Sequence, residues 1–168
     1  MNCTRNFKIE QVTEQTLVIG MDIAKHKHYA AMVDERGREL KKPFPVPQSR
    51  IGFEQFYASI EEAKKVFGKT EVIVGIEPTG HYWLNLAYFL EEKGIPLVMV
   101  NPMHVKRSKE LDDNLPTKHD AKDARIIAKL VKDGRFSYPR ILHEVEEELR
   151  AESTFRESLI TERNAVHN

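Results

Sequence analysis

Apolar residues follow two rhythms along this chain. Residues 17–24 (LVIGMDIA) form a short apolar run with β-branched content, and 28–34 and 38–46 follow with residues 34–37 as turn material. That order predicts a strand and then a hairpin. From Ile51 to Phe67 the spacing becomes helical (Ile51, Phe53, Phe56, Ile60, Ala63, Phe67), with Ser49 available as N-cap and Gly68 as stop. Residues 72–76 predict another buried strand, 82–92 a helix closed by Gly94, and 95–100 a third apolar strand ending at Asn101-Pro102. Residues 117–131 predict a helix with Thr117 as N-cap after Pro116. From Leu142 onward a loose apolar seam (Leu142, Val145, Leu149, Phe155, Leu159, Val166) runs among many charges without a Gly or Pro stop. It predicts the opening of a long helix in a chain that is a piece of a longer protein. Strands alternating with helices imply an α/β domain with parallel pairing, and Pro43, Pro45 and Pro47 read as punctuation of a strand-to-helix connection.

Two of the strands carry chemistry. Val18-Ile19-Gly20-Met21-Asp22 and Ile73-Val74-Gly75-Ile76-Glu77 each place a carboxylate two residues after a glycine at the end of an apolar run. Residues i and i+2 share a strand face, so each acid has a bare position beside it, which reads as room for a ligand. A carboxylate among aliphatic groups is costly unless compensated, and on neighbouring strands about 4.8 Å apart the two anions also repel. A hard divalent cation such as Mg²⁺ answers both costs. Asp120 and Asp123, three apart in the first turn of the 117–131 helix, share a face and can complete a four-acid site. Each acid also has an ordinary explanation. Asp120 fits a capping box with Thr117, Asp22 can pair with Lys25, and Glu77 can cap the helix after Pro78-Thr79-Gly80. The recurrence of glycine and acid in two strands favours the joint reading.

Composition refines the picture. The 168 residues hold 26 basic and 26 acidic side chains, so no global field announces a nucleic-acid binder. Positive charge gathers in residues 101–135, with nine basic against six acidic residues. Lys106, Arg107, Lys109, Lys118, Lys122 and Arg125, together with Lys25 beside Asp22, are candidates for phosphate contact; Lys129 and Lys132 continue the series. The single Cys3 excludes an internal disulfide or a cysteine zinc cluster and suits a reducing cytosol. Neither a signal peptide nor a membrane-spanning run is visible, which predicts a soluble intracellular protein. His26, His28, His81, His104 and His119 show no standard zinc-ligand spacing. Tyr82 and Trp83, opening the 82–92 helix, are expected to pack into the core rather than stack on bases.

The stretches Ile19-Gly20-Met21-Asp22-Ile23-Ala24-Lys25, Val74-Gly75-Ile76-Glu77-Pro78-Thr79-Gly80-His81-Tyr82-Trp83, Val100-Asn101-Pro102 and Lys118-His119-Asp120-Ala121-Lys122-Asp123-Ala124 resemble the N-terminal DEDD domain of the insertion-sequence one-ten transposases. The resemblance covers residues 16–135 in order. It implies an RNase H-like (RuvC-like) mixed sheet with flanking helices over residues 16–140, after an N-terminal extension at 1–15 and before the start of a coiled-coil helix at 141–168. It further implies Asp22, Glu77, Asp120 and Asp123 as the acids that bind Mg²⁺ or Mn²⁺, and DNA and a structured guide (bridge) RNA as partners. A homo-oligomer formed through the C-terminal helix and a prokaryotic cytoplasm belong to the same expectation. The family's catalytic serine sits in a further C-terminal domain, so this chain alone is expected to be inactive in strand exchange. A Holliday-junction resolvase or other RNase H-like nuclease would use a similar site. A non-catalytic RNA-binding or dimerisation module is the alternative of another class, and would need no acids behind glycines on apolar strands.

Overall fold

The computed structural model describes residues 4–112 and 120–140. Ten elements follow in order: α1 (Thr4–Glu10), β1 (Thr16–Asp22), β2 (Lys27–Val33), β3 (Glu39–Pro47), α2 (Arg50–Phe67), β4 (Glu71–Ile76), α3 (Leu84–Glu92), β5 (Leu97–Met99), α4 (Pro102–Asp112) and α5 (Asp120–Lys132). They build one five-stranded sheet in the order β3-β2-β1-β4-β5. The first three strands form an antiparallel meander, and β4 and β5 join it parallel to β1. This is a mixed sheet with flanking helices, as the motifs imply.

Each face of the sheet has its own core. Leu17, Ile19, Met21, Ala30 and Met32 on one face pack with Phe53, Phe56 and Ile60 of α2 and Leu86 and Leu90 of α3. The alternate residues Val18, Val33, Ile73 and Val98 on the other face pack with Ile126, Ile127, Leu130 and Val131 of α5 and Val105 of α4. Burial on both faces explains why β1 reads as a continuous apolar run rather than an alternating one. Ser49 caps α2 by accepting from the Gly52 N–H at 3.1 Å, and Gly68 ends it at φ +64°.

Several expectations are corrected. Pro43, Pro45 and Pro47 lie inside β3, an edge strand, where a missing N–H costs no ladder bond and blunts pairing with other chains. The third helix begins at Leu84, because His81–Trp83 form a turn, and the strand expected at 95–100 is pared to Leu97–Met99. Helices α1 and α4 were not legible in the apolar pattern. Helix α4 buries Val105 but leaves its other large apolar residues, Met103 and Leu111, exposed among charges, and α1 rests on the residues after α5, where Lys8 Nζ donates to the Phe136 carbonyl. The start of the 117–131 helix, including Thr117, and the C-terminal helix lie outside the described residues.

The glycines of β1 and β4 do not leave room for a ligand. A Cβ on Gly20 would stand 2.1 Å from the Ala124 carbonyl oxygen and 2.2 Å from the Ala128 nitrogen, and one on Gly75 would stand 2.2 Å from Val131 Cγ2. The bare positions are filled by α5, whose backbone lies directly on β1. Replacing Gly20 therefore demands movement of a whole helix, whereas Val131 can turn its side chain. Gly20→Ala is expected to destabilise at or above the upper end of the ~1–3 kcal/mol typical of overpacking, and Gly75→Ala clearly less. Urea unfolding of both variants checks the order, and equal losses would contradict it.

Candidate metal centre and comparisons with known proteins

The close approach of α5 brings Asp123 into the field of Glu77. In the parallel β1/β4 pair Gly20 stands beside Gly75 and Met21 beside Ile76, so the chain delivers Asp22 and Glu77 side by side at the carboxyl edge of the sheet. Gly20 and Asp22 share the face that α5 covers, as do Gly75 and Glu77. Two strand residues advance about 6.6 Å, close to the roughly 5.4 Å of a helical turn. With Ala124 and Ala128 seated over Gly20, the preceding turn of α5, which carries Asp120 and Asp123, comes to the level of Asp22.

Electrostatics report the meeting. The Glu77 carboxyl is held above its ordinary pKa, first by burial, with Asp123 pushing it further up and Lys109 opposing. Lys109, from α4, places its Nζ 2.6 Å from Asp123 Oδ2. The edge thus joins an acid that resists ionisation, a second acid that repels it, and a cation drawn in between α4 and α5. Asp22 is half-buried, opposite Tyr29 of β2. Among the described residues no three His, Cys, Asp or Glu side chains form a group able to hold a metal ion, and the Asp120 side chain lies outside those residues. The donor set at Asp22, Glu77 and Asp123 is oxygen throughout, and Lys109 is paired with Asp123 there. Oxygen donors of this kind suit a hard cation, and among the described residues no thiolate or imidazole metal site is formed.

The other residues singled out in the sequence divide. Lys122 and Arg125 lie on α5, Arg125 joined to Glu39 at the start of β3. Lys106 and Arg107 are exposed on α4, and Lys25 is exposed just beyond Asp22. Lys118 and His119 lie outside the described residues. Tyr82 and Trp83 pack against the α2/α3 core, as expected.

Sequence reasoning missed His28 and Gln48. His28 is fully buried in β2, stacked on Phe53 with ring centroids 6.2 Å apart. Its Nδ1 accepts from the Ala24 N–H at 3.1 Å, two residues after Asp22, which leaves the ring proton on Nε2. Gln48 donates from Nε2 to the Tyr82 carbonyl at 2.8 Å, in the segment that follows Glu77. The two side chains therefore tie down the loops beyond both strand-borne acids. No spacing rule marks them, because the link runs across the sheet.

With this geometry in view, the comparisons are decisive for the family. The sequence profile of the DEDD transposases of the IS110 group, described as transposase, matches residues 19–168. The chain belongs to the IS110 family of DEDD transposases. Among curated proteins none matches it. Of solved structures, Thermus thermophilus RuvC, in complex with a Holliday junction substrate, is similar over 74% of this chain and 99% of its own, at 19% identity and a TM-score of 0.48. A ROK family glucokinase from Streptomyces griseus, in complex with glucose and AMPPNP, is similar over 61% of this chain and 38% of its own, at 24% identity and a TM-score of 0.37. Family membership separates the transposase reading from that of a stand-alone resolvase. No helix among the described residues of this IS110-family chain is long and apolar enough to cross a membrane.

The buried His28 gives the domain a pH signature. Burial holds its imidazole below the ordinary value, with Gln48 partly offsetting the shift. Between that lowered pKa and the unfolded value of about 6.5 the unfolded chain binds the extra proton, so stability from neutral His28 is complete above pH 6.5 and declines as pH falls through the window. Thermal unfolding of wild type between pH 7.5 and 5 is expected to fall more steeply than that of His28→Gln. Parallel pH profiles would remove His28 as the cause.

Proposed function

We propose that residues 16–140 are the metal-dependent catalytic domain with which this transposase cuts DNA during strand exchange, Asp22, Glu77, Asp120 and Asp123 being its metal ligands. The observation that carries the reading is the electrostatic contact of Glu77 with Asp123 across the sheet edge, next to Asp22 and already attended by a cation, in a chain of the DEDD family. A half-buried carboxylate with a like charge beside it is a standing cost to the fold. The cost is retained here at the edge of an open α/β sheet where sites usually lie.

When bound, Mg²⁺ or Mn²⁺ would polarise a phosphodiester and lower the pKa of a coordinated water. The chain's own residues do the rest. Asp22 and Glu77 are oriented by the strands, Asp123 is brought in by α5, and Lys109 supplies positive charge to the pair until a stronger cation replaces it. Lys25, Lys106, Arg107, Lys118, Lys122 and Arg125 would position the nucleic-acid backbone without reading its sequence. The resemblance further supports guidance by a bridge RNA, a serine nucleophile supplied by a C-terminal domain, pairing of copies through a coiled-coil helix expected over residues 141–168, and action in a prokaryotic cytoplasm.

Metal linkage tests the reading. A ligand that binds only the folded state stabilises it by about 2.7 kcal/mol at a hundred times its Kd, which for a domain of this size raises Tm on the order of 5–10 °C. Wild type is expected to show such a rise with MgCl₂ or MnCl₂. Asp22→Asn and Glu77→Gln should show little or none, with Glu77→Gln at least as stable as wild type in EDTA. Equal metal responses in all three proteins would refute the site.

A further inference from the structure

A second feature adjoins the acids on the outer flank of α5. Lys122, Arg125, Lys129 and Lys132 are spaced at i, i+3, i+7 and i+10, which places all four within a stripe about 80° wide. The stripe faces the β2–β3 turn across a groove of about 420 Å³ whose other wall includes Arg36 and Glu39. Five cations and one acid line this groove, a balance of +4 in a chain whose formal charge is zero.

The far wall is rigid. Asp34 is buried and fixes the turn by accepting from the Arg36 and Arg38 N–H groups at 3.0 and 2.8 Å. The nearby Glu35 is engaged by the buried Lys69, 2.9 Å away, and more loosely by Arg36 Nε at 3.6 Å. Gly37 at φ +83° lies against the Lys132 side chain, with a hypothetical Cβ 3.2 Å from Lys132 Cε. Lys132 is thereby laid along the groove wall, and it also pairs with Asp133. The groove starts at Lys122, adjacent in sequence to Asp123, and leads away from the sheet's acidic edge. From Lys122 to Lys132 the helix advances about 15 Å, the length occupied by about four phosphates of one strand at roughly 3.4 Å each.

We propose that this groove is a binding track for a phosphodiester backbone, in which Arg36, Lys129 and Lys132 extend the contacts of Lys122 and Arg125 so that a strand engaged at the acids continues along α5. The assignment rests on the nuclease-domain reading for its direction, while its chemistry stands on the groove alone. Repeating phosphates match a row of cations at helical spacing. The Glu39–Arg125 pair sits within the track as a brake on it, since an incoming phosphate must compete with Glu39 for the guanidinium.

Binding of the 168-residue chain to labelled 20-mers is measured in EDTA between 50 and 200 mM salt, with single-stranded DNA, duplex DNA and RNA of the same sequence as separate arms. Each phosphate contact contributes about 0.9 to the slope of log K against log salt on duplex. Lys129→Gln/Lys132→Gln is therefore expected to lower that slope by about 1.8, so wild type loses about 12-fold more affinity than the variant over this range. Glu39→Gln is expected to bind more tightly than wild type. Lys64→Gln/Lys65→Gln, the same charge change on α2, should leave the slope unaltered. The arm with the largest groove effect identifies the nucleic acid that runs there. The track is overturned if wild type fails to bind at 50 mM salt in every arm, if the groove variant keeps the wild-type slope in every arm, or if the α2 control lowers it equally. Because these measurements contain no divalent metal, they are independent of the acid cluster. A groove variant that retains the Mg²⁺-induced rise in Tm shows that one reading can fail without the other.

Discussion

Backbone contact between α5 and β1 at Gly20 is the constraint on which the rest of the architecture depends. The Ala124 carbonyl and the Ala128 amide occupy the space that any side chain at position 20 would fill. Helices ordinarily stand off a sheet by the depth of interleaved side chains, and here that spacer is missing at one point. The consequence reaches in two directions. Towards the interior, Ile127 and Val131 sink between Val18, Ile73 and Val98 and close the second core. Towards the carboxyl edge, the first turn of α5 is pressed down to the level of the strand ends, where Asp123 and Glu77 come into each other's fields.

Much of this was written in the local pattern, and the parts that were not have physical reasons. Ser49 and Gly68 bracket α2 because capping is a short-range affair, and the strand runs are legible because both faces are covered. Asp22 and Glu77 could be singled out as an odd pair, and the β1/β4 register sets the residues just before them, Met21 and Ile76, side by side. The purpose of the glycines beside them could not be read, since their neighbour is a helix far along the chain, beyond any local pattern. Helix α4 escaped notice because a helix anchored by Val105 alone on its buried side has little amphipathic signal. His28 and Gln48 escaped because a tie between two loops has no periodicity at all.

The electrostatic design has a division of labour. At the end of the sheet away from the acids, charge is settled internally: Lys69 is buried between the Glu14 carbonyl and Glu35, and Arg38 joins Asp34. At the carboxyl edge it is not settled, for Glu77 carries a burial penalty that Lys109 offsets only in part and Asp123 deepens. A fold can hold such tension only where the surrounding structure is over-determined. Here the β-ladder fixes Glu77 from below, α5 fixes Asp123 from above, and the ties from His28 and Gln48 keep the two loops from relaxing outward.

The position of α5 in the chain also bears on how the molecule is made. All five strands and both helices of the first face precede residue 100, so a growing polypeptide can complete that layer early. The face bearing Val18, Val33, Ile73 and Val98 lacks its main cover until the segment ending at Lys132 has emerged. Contacts that span so much sequence form late and slowly, and an uncovered apolar sheet face is prone to stick to others in the interval. During synthesis, then, closure of this face and the arrival of Asp123 beside Glu77 are one event, and a chain interrupted before α5 would be left with a hydrophobic surface.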